Sequence, residues 1–112
     1  MATDPDYADY IVEQLQAAGA VRSRKMFGEY AVYLDDKVVA LICDNQLFVK
    51  PSDAGRAFIG EVEPAPPYPG AKPHYLIDDR LEDGDWLSEL IRRTAAELPV
   101  PKPKKKKTGQ KI

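Results

Sequence analysis

The stretch RKMFGEYAVYLDDKVVALICDNQLFVKP, residues 24–51, decides the fold. No helical spacing runs through it; short apolar, β-branched and aromatic runs alternate with acidic pairs instead. Asp35-Asp36 and Asp44-Asn45 are turn signals, because Asp and Asn tolerate left-handed backbone angles and bond locally to their own main chain. The runs between them read as strands over residues 30–34, 37–43 and 46–50, joined as two consecutive hairpins, with a further strand around residues 22–27. With two-residue loops, the register puts Tyr30, Val32, Leu34, Val39, Leu41, Cys43 and Phe48 on one face and Ala31, Tyr33, Val38, Ala40, Ile42, Leu47 and Val49 on the other. Both faces are apolar. An antiparallel sheet covered on one side shows one polar face, so the second face needs a cover too, either residues 59–80 of the same chain or a second subunit.

Outward from the hairpins the chain reads as helix. At the N-terminus Thr3 or Asp4 is placed to cap and Pro5 to fill the first helical position, where its missing N–H costs nothing. Tyr7, Ile11, Leu15 and Ala18 form an apolar stripe that Gly19 stops. After Pro51, Ser52 or Asp53 caps a short helix reaching Ala57 or Phe58. Residues 59–73 hold five prolines and two glycines and read as a surface loop. His74–Ile77 reads as one more strand, and Asp83-Gly84-Asp85 opens a last helix with a stripe at Leu87, Leu90, Ile91, Thr94 and Leu98, Trp86 beside it. Pro99 ends that helix, because the residue before a proline disfavours helical angles. The sum is an α+β, two-layer sandwich: an antiparallel sheet of about five strands with an N-terminal and a C-terminal helix packed on it.

A chain of 112 residues is the size of one domain. Its net charge of -2 averages two unlike segments. Residues 99–112, PVPKPKKKKTGQKI, carry six lysines and no acid, which leaves ten basic and eighteen acidic side chains in residues 1–98. The division expected is a folded domain over residues 1–98 and a disordered Lys/Pro-rich tail over 99–112, whose composition cannot offset its ordering entropy. Clustered cations displace condensed counterions from nucleic acid, so Lys102, Lys104, Lys105, Lys106, Lys107 and Lys111 are candidate nucleic-acid contacts, against the plainer reading of a solvated tail. The N-terminus has no cationic start with an apolar run behind it, and the longest apolar run, Val38 to Cys43, is far short of a membrane span. A cytoplasmic protein without membrane contact is expected.

Arg24, Lys25, Met26, Phe27, Gly28 and Tyr33 form a candidate interaction surface. Against it stands a structural reading, favoured by the sequence, in which Met26 and Phe27 fill the core and Gly28 permits a bulge or tight bend. Charges on an edge strand, moreover, also discourage aggregation. Cys43, the single cysteine, and His74, the single histidine, are the material for a thiol site, but a thiol at an apolar strand end behaves as a small hydrophobe. The pairs Asp35-Asp36 and Asp78-Asp79 read as turns before they read as a cation site. No phosphate loop, zinc ligand set or triad setting is present in the sequence, so neither a metal, a cofactor nor catalytic residues are expected.

The stretch quoted above, with the later YPGAKPHYLI and a C-terminal helix containing Trp, resembles the N-terminal domain of the TfoX/Sxy family from about Tyr7 to Leu98. The resemblance implies a two-layer α+β domain with an antiparallel sheet, and a link to competence and transcription regulation, the role the family is named for. Full-length members carry a C-terminal helical domain where this chain has its lysine tail. The expectation is therefore a non-enzymatic regulatory or interaction module, with protein contacts or a homodimer through the second sheet face and weak, unspecific DNA binding through the tail. The alternatives are a small enzyme or ligand-binding protein with a pocket near His74 and Cys43, or an ancillary domain acting with a separately encoded partner.

Overall fold

Three two-residue turns build the sheet, and each holds both of its central residues in the left-handed region. In the computed structural model, which describes residues 3–98, φ is 49° and 82° at Phe27-Gly28, 50° and 71° at Asp35-Asp36, and 52° and 58° at Asp44-Asn45. Positive φ at both positions is the type I′ turn, whose twist matches that of the strands it joins. The turns link β1 (Val21–Met26), β2 (Glu29–Leu34), β3 (Lys37–Cys43) and β4 (Gln46–Val49). Helix α1 (Pro5–Gln14) precedes them; α2 (Asp53–Ile59), β5 (Pro64–Ala65), β6 (His74–Ile77) and α3 (Gly84–Glu97) follow. The sheet is antiparallel throughout, in the order β1-β2-β3-β4-β6-β5. It has six strands rather than about five, because the proline-rich stretch read as loop contributes β5. Pro64 sits there on the outermost strand, where a missing N–H breaks no ladder.

The predicted faces need correction. Tyr33 pairs with Val38, but Val32 pairs with Ala40, so Val39 is an extra residue in β3. A bulge of this kind puts two residues of one strand against one of its neighbour. Beyond it every side chain of β3 is reversed relative to the regular register: Ala40 and Ile42 join Val32, Leu34, Leu47 and Val49 against the helices. Leu41 and Cys43 go to the opposite face with Ala31 and Phe48. Val39 itself is fully buried in the helix-side core.

Each helix starts on a side chain that satisfies a free N–H. The Asp4 carboxylate accepts from Asp6, Ser52 Oγ from Gly55, and the Asp83 carboxylate from Trp86. The first helix ends earlier than its stripe suggests: Gln16–Ala18 tighten into a 3-10 turn before Gly19, at φ 138°. Ala8 and Ile11 from α1, Leu15 just past its end, Ile59 from α2, and Leu87, Leu90, Ile91 and Ala95 from α3 form one buried cluster with the helix-facing residues of the sheet. Helices thus occupy one layer and the sheet the other. The Glu97 carboxylate near the end of α3 accepts from the N–H groups of Asp53 and Ala54 at 2.9 and 3.1 Å, closing the start of α2. Outside this contact Arg93, Phe58, Trp86 and Arg80 stack in a column, with 4.7 Å from Arg93 to the Phe58 ring, 5.6 Å between the rings and 4.6 Å from Trp86 to Arg80.

Candidate functional site

The turn between β1 and β2 carries Phe27, and its side chain is 100% exposed. This overturns the core assignment of Met26 and Phe27, since Met26 is 41% exposed as well. The cause is the turn itself: with two loop residues, Phe27 is at the outermost point of the hairpin. Beside it, on the sheet face away from the helices, lies a groove of about 460 Å³ lined by Met26, Phe27, Glu29, Tyr30, Leu41, Cys43 and Tyr68. The bulge is what turns Leu41 and Cys43 toward this side. Tyr68, 55% exposed, closes one wall from the proline-rich loop, and its neighbour Pro67 is buried. Residues of the same chain therefore supply part of the cover that the second face requires.

The floor of the groove is held in place by the N-terminal segment. Thr3 is buried, and its hydroxyl donates to Glu29 Oε1 at 2.6 Å while accepting from the Asn45 N–H at 3.3 Å. The same Glu29 oxygen accepts from the Asp44 N–H at 3.0 Å, and the Asn45 amide oxygen accepts from the Asp4 N–H at 2.8 Å. The Thr3 N–H donates to the Gly28 carbonyl at 3.0 Å. Two hairpin turns and the start of α1 are tied at one corner, and the groove opens beside that tie.

Cys43 is buried in this corner, and burial, with the Glu29 and Asp44 carboxylates adding to it, pushes its thiol up from 9.0 to about 11. A neutral thiol is a poor nucleophile. The shift has a consequence for stability. The unfolded thiol ionises from about pH 9 while the folded one holds its proton to about pH 11, so stability falls as pH rises through that window. Urea melts of wild type and Cys43→Ala should differ by a constant amount below pH 9, and the wild type should lose ground above it. A difference that stays level through pH 11 would mean that the thiol ionises alike in both states.

The other predicted residues are distributed along β1 and β2. Arg24 pairs with Ala31 on the groove face, Lys25 with Tyr30 on the other, and both are exposed. Tyr33 is at the far end of β2 from the groove, half-buried under Arg22, whose guanidinium is 4.3 Å from the ring and 3.2 Å from Asp36. The six-residue surface is thus divided: Met26, Phe27 and Gly28 are at the tip, Arg24 and Lys25 follow along β1 on opposite faces, and Tyr33 is at the other end. A Cys43–His74 pair does not form. Cys43 pairs with Gln46 at the turn end of β4, whereas His74 pairs with Ala65 at the opposite end of the ladder, its Nδ1 2.9 Å from the Lys72 carbonyl oxygen. Among the described residues no three His, Cys, Asp or Glu side chains are grouped to hold a metal, and no helix is long and apolar enough to cross a membrane. Lys102, Lys104, Lys105, Lys106, Lys107 and Lys111 lie outside the described residues. Glu29, Tyr30, Leu41 and Tyr68 belong to the groove without having been predicted in it. The alternation set Leu41 and Cys43 on one face with Tyr30, and no signal in it marks the bulge that turns Leu41 and Cys43 toward the groove.

A protein of Spirochaeta aurantia, described as an uncharacterized 12.7 kDa protein in the trpE 5′ region, is 50% identical over 108 residues, which is 96% of this chain and 94% of that protein. The profile of the TfoX N-terminal domain matches residues 13–98, from the end of α1 through the sheet to the end of α3, and the chain belongs to the TfoX N-terminal domain family.

Proposed function

We propose that this domain is a non-enzymatic interaction module that docks a protein partner on the tip of the β1–β2 hairpin, in a regulatory role of the competence or transcription kind. The observation that carries the reading is Phe27. Neither the core nor the turn calls for an aromatic ring there: the side chain is wholly exposed and the backbone, at φ 49°, is in a region that L-residues other than Asn, Asp and Gly adopt at a cost. A strained, exposed aromatic beside an apolar groove is an arrangement that function explains and folding does not. Its size also limits the partner. Phe27 with the exposed parts of Met26 and Tyr68 presents roughly 400 Å², taking about 200 Å² for a fully exposed aromatic. A stable protein–protein interface buries about 800 Å² on each side. That favours a short segment of a partner over a permanent homodimer through this face. Immobilised wild-type chain and Phe27→Asn chain, exposed to extract of the source cell, should retain different proteins; identical retention would defeat the reading.

The tail adds a second contact in the same proposal. Six lysines give weak, unspecific DNA binding whose log-log salt slope is at most about -5. Fluorescence anisotropy of a labelled duplex should show this steep salt dependence for the wild-type chain. It should show no binding when Lys102, Lys104, Lys105, Lys106, Lys107 and Lys111 are all changed to Gln. Binding that survives those changes would move the nucleic-acid contact from the tail to the folded domain.

A further inference from the structure

We propose that β1 is a docking edge for an extended acidic peptide, which adds to the sheet as a seventh strand and sets an apolar side chain at the mouth of the groove beside Met26 and Phe27. The proposal rests on the reading of the hairpin tip as an interaction surface and gives the partner its chemistry. The sheet has two outer strands, and they differ. At one edge β5 is two residues long and contains Pro64, which cannot donate to a ladder. At the other, β1 is six residues long and paired only with β2. Because Met26 and Glu29 flank a two-residue turn, they form a hydrogen-bonded pair. The alternation of an antiparallel ladder then points the main-chain N–H and C=O groups of Ser23 and Lys25 away from β2. These are the groups an added strand uses.

Charge selects the occupant. VRSRKM holds three cations and no acid, in a segment of a folded domain that is otherwise strongly acidic. Arg22 is engaged by Asp36 and Tyr33, but among the described residues neither Arg24 nor Lys25 is paired with a carboxylate. A second copy of β1 would bring like charges face to face across the new ladder, which is destabilising. The lysine-rich tail of the same chain would do the same. An acidic strand is attracted, and the groove at the Met26 end supplies the apolar pocket that fixes its register.

The test is selection of a phage-displayed random dodecapeptide library on the full-length wild-type chain, with full-length Phe27→Asn as the counter-target. Clones retained only by the wild type should carry net negative charge and alternate acidic with aromatic or branched residues. The best of them, made synthetically, should lose about tenfold or more in affinity when alternate amides are N-methylated, and a similar factor when Arg24 and Lys25 are changed to Gln. Neutral or basic clones, or indifference to N-methylation, would overturn edge pairing while leaving the hairpin tip as an interaction surface. If no clone distinguishes wild type from Phe27→Asn, the hairpin-tip reading falls and this inference with it. An oligothymidylate that binds in a Phe27-dependent way and outcompetes the selected peptides would assign the edge to single-stranded nucleic acid instead and overturn the peptide proposal.

Discussion

Replacing Leu90 by Ala should cost about 2–5 kcal/mol, the range for truncating a fully buried leucine whose surroundings cannot collapse into the space. Leu90 is completely buried in the middle of α3 and packs under α2, its Cδ1 3.5 Å from where a Cβ on Gly55 would lie. Collapse is resisted there. The N-terminus of α2 is fixed to α3 by Glu97, and Gly55 is already in close approach to Thr94, so α2 has no path to sink into the void. In a domain of this size the loss should lower Tm by roughly 10–25 °C. Urea denaturation followed by far-UV circular dichroism measures it, and Ala96→Ser, on the exposed side of the same helix, should change stability by less than about 0.5 kcal/mol. If Leu90→Ala cost no more than that control, the packing of α2 and α3 described above would be wrong.

Phe27→Asn should act in two opposite directions. As an exposed anchor, Phe27 should account for about 2 kcal/mol or more of partner binding, a loss of some thirtyfold or greater on substitution. The same change should stabilise the fold by about 0.5–1 kcal/mol, because Asn occupies the left-handed region more readily than Phe and Asn-Gly is a favoured type I′ pair. Most losses of binding come with some loss of structure; here the melting temperature should rise by a few degrees while affinity collapses. Paired titration and thermal melts of one preparation read both. A variant that binds as well as the wild type removes the functional account of Phe27, and one that melts lower removes the account of its strain.

The elements were legible where local chemistry decides them. Asp35-Asp36 and Asp44-Asn45 mark their turns because the residues suit left-handed backbone, and Asp4, Ser52 and Asp83 mark helix starts because their oxygens reach free N–H groups. The faces of the sheet were not legible, since Val38, Val39 and Ala40 are all apolar and nothing in that run says which of them is the extra one. The bulge is chosen by how β3 packs against the helices, a tertiary effect that no alternation pattern carries. The groove was hidden for the same reason: it depends on that reversal, on Tyr68 returning from a proline-rich loop, and on Phe27 being in a turn. Gly28 was the available clue, because a glycine between strands of equal length also fits a two-residue hairpin turn.

The column built on Phe58 and Trp86 gives the molecule a built-in optical gauge. Trp86 is the single tryptophan of the chain, and its indole is held between a phenyl ring and the Arg80 guanidinium at the α2–α3 contact. Its emission therefore reports the docking of two helices on the layer opposite the groove. A peptide arriving at β1 or at the hairpin tip should leave that signal still, so unfolding and recognition can be followed in one cuvette at separate wavelengths, with the recognition signal carried by a dye on the peptide. Any ligand that does shift the tryptophan spectrum is acting on the helical layer.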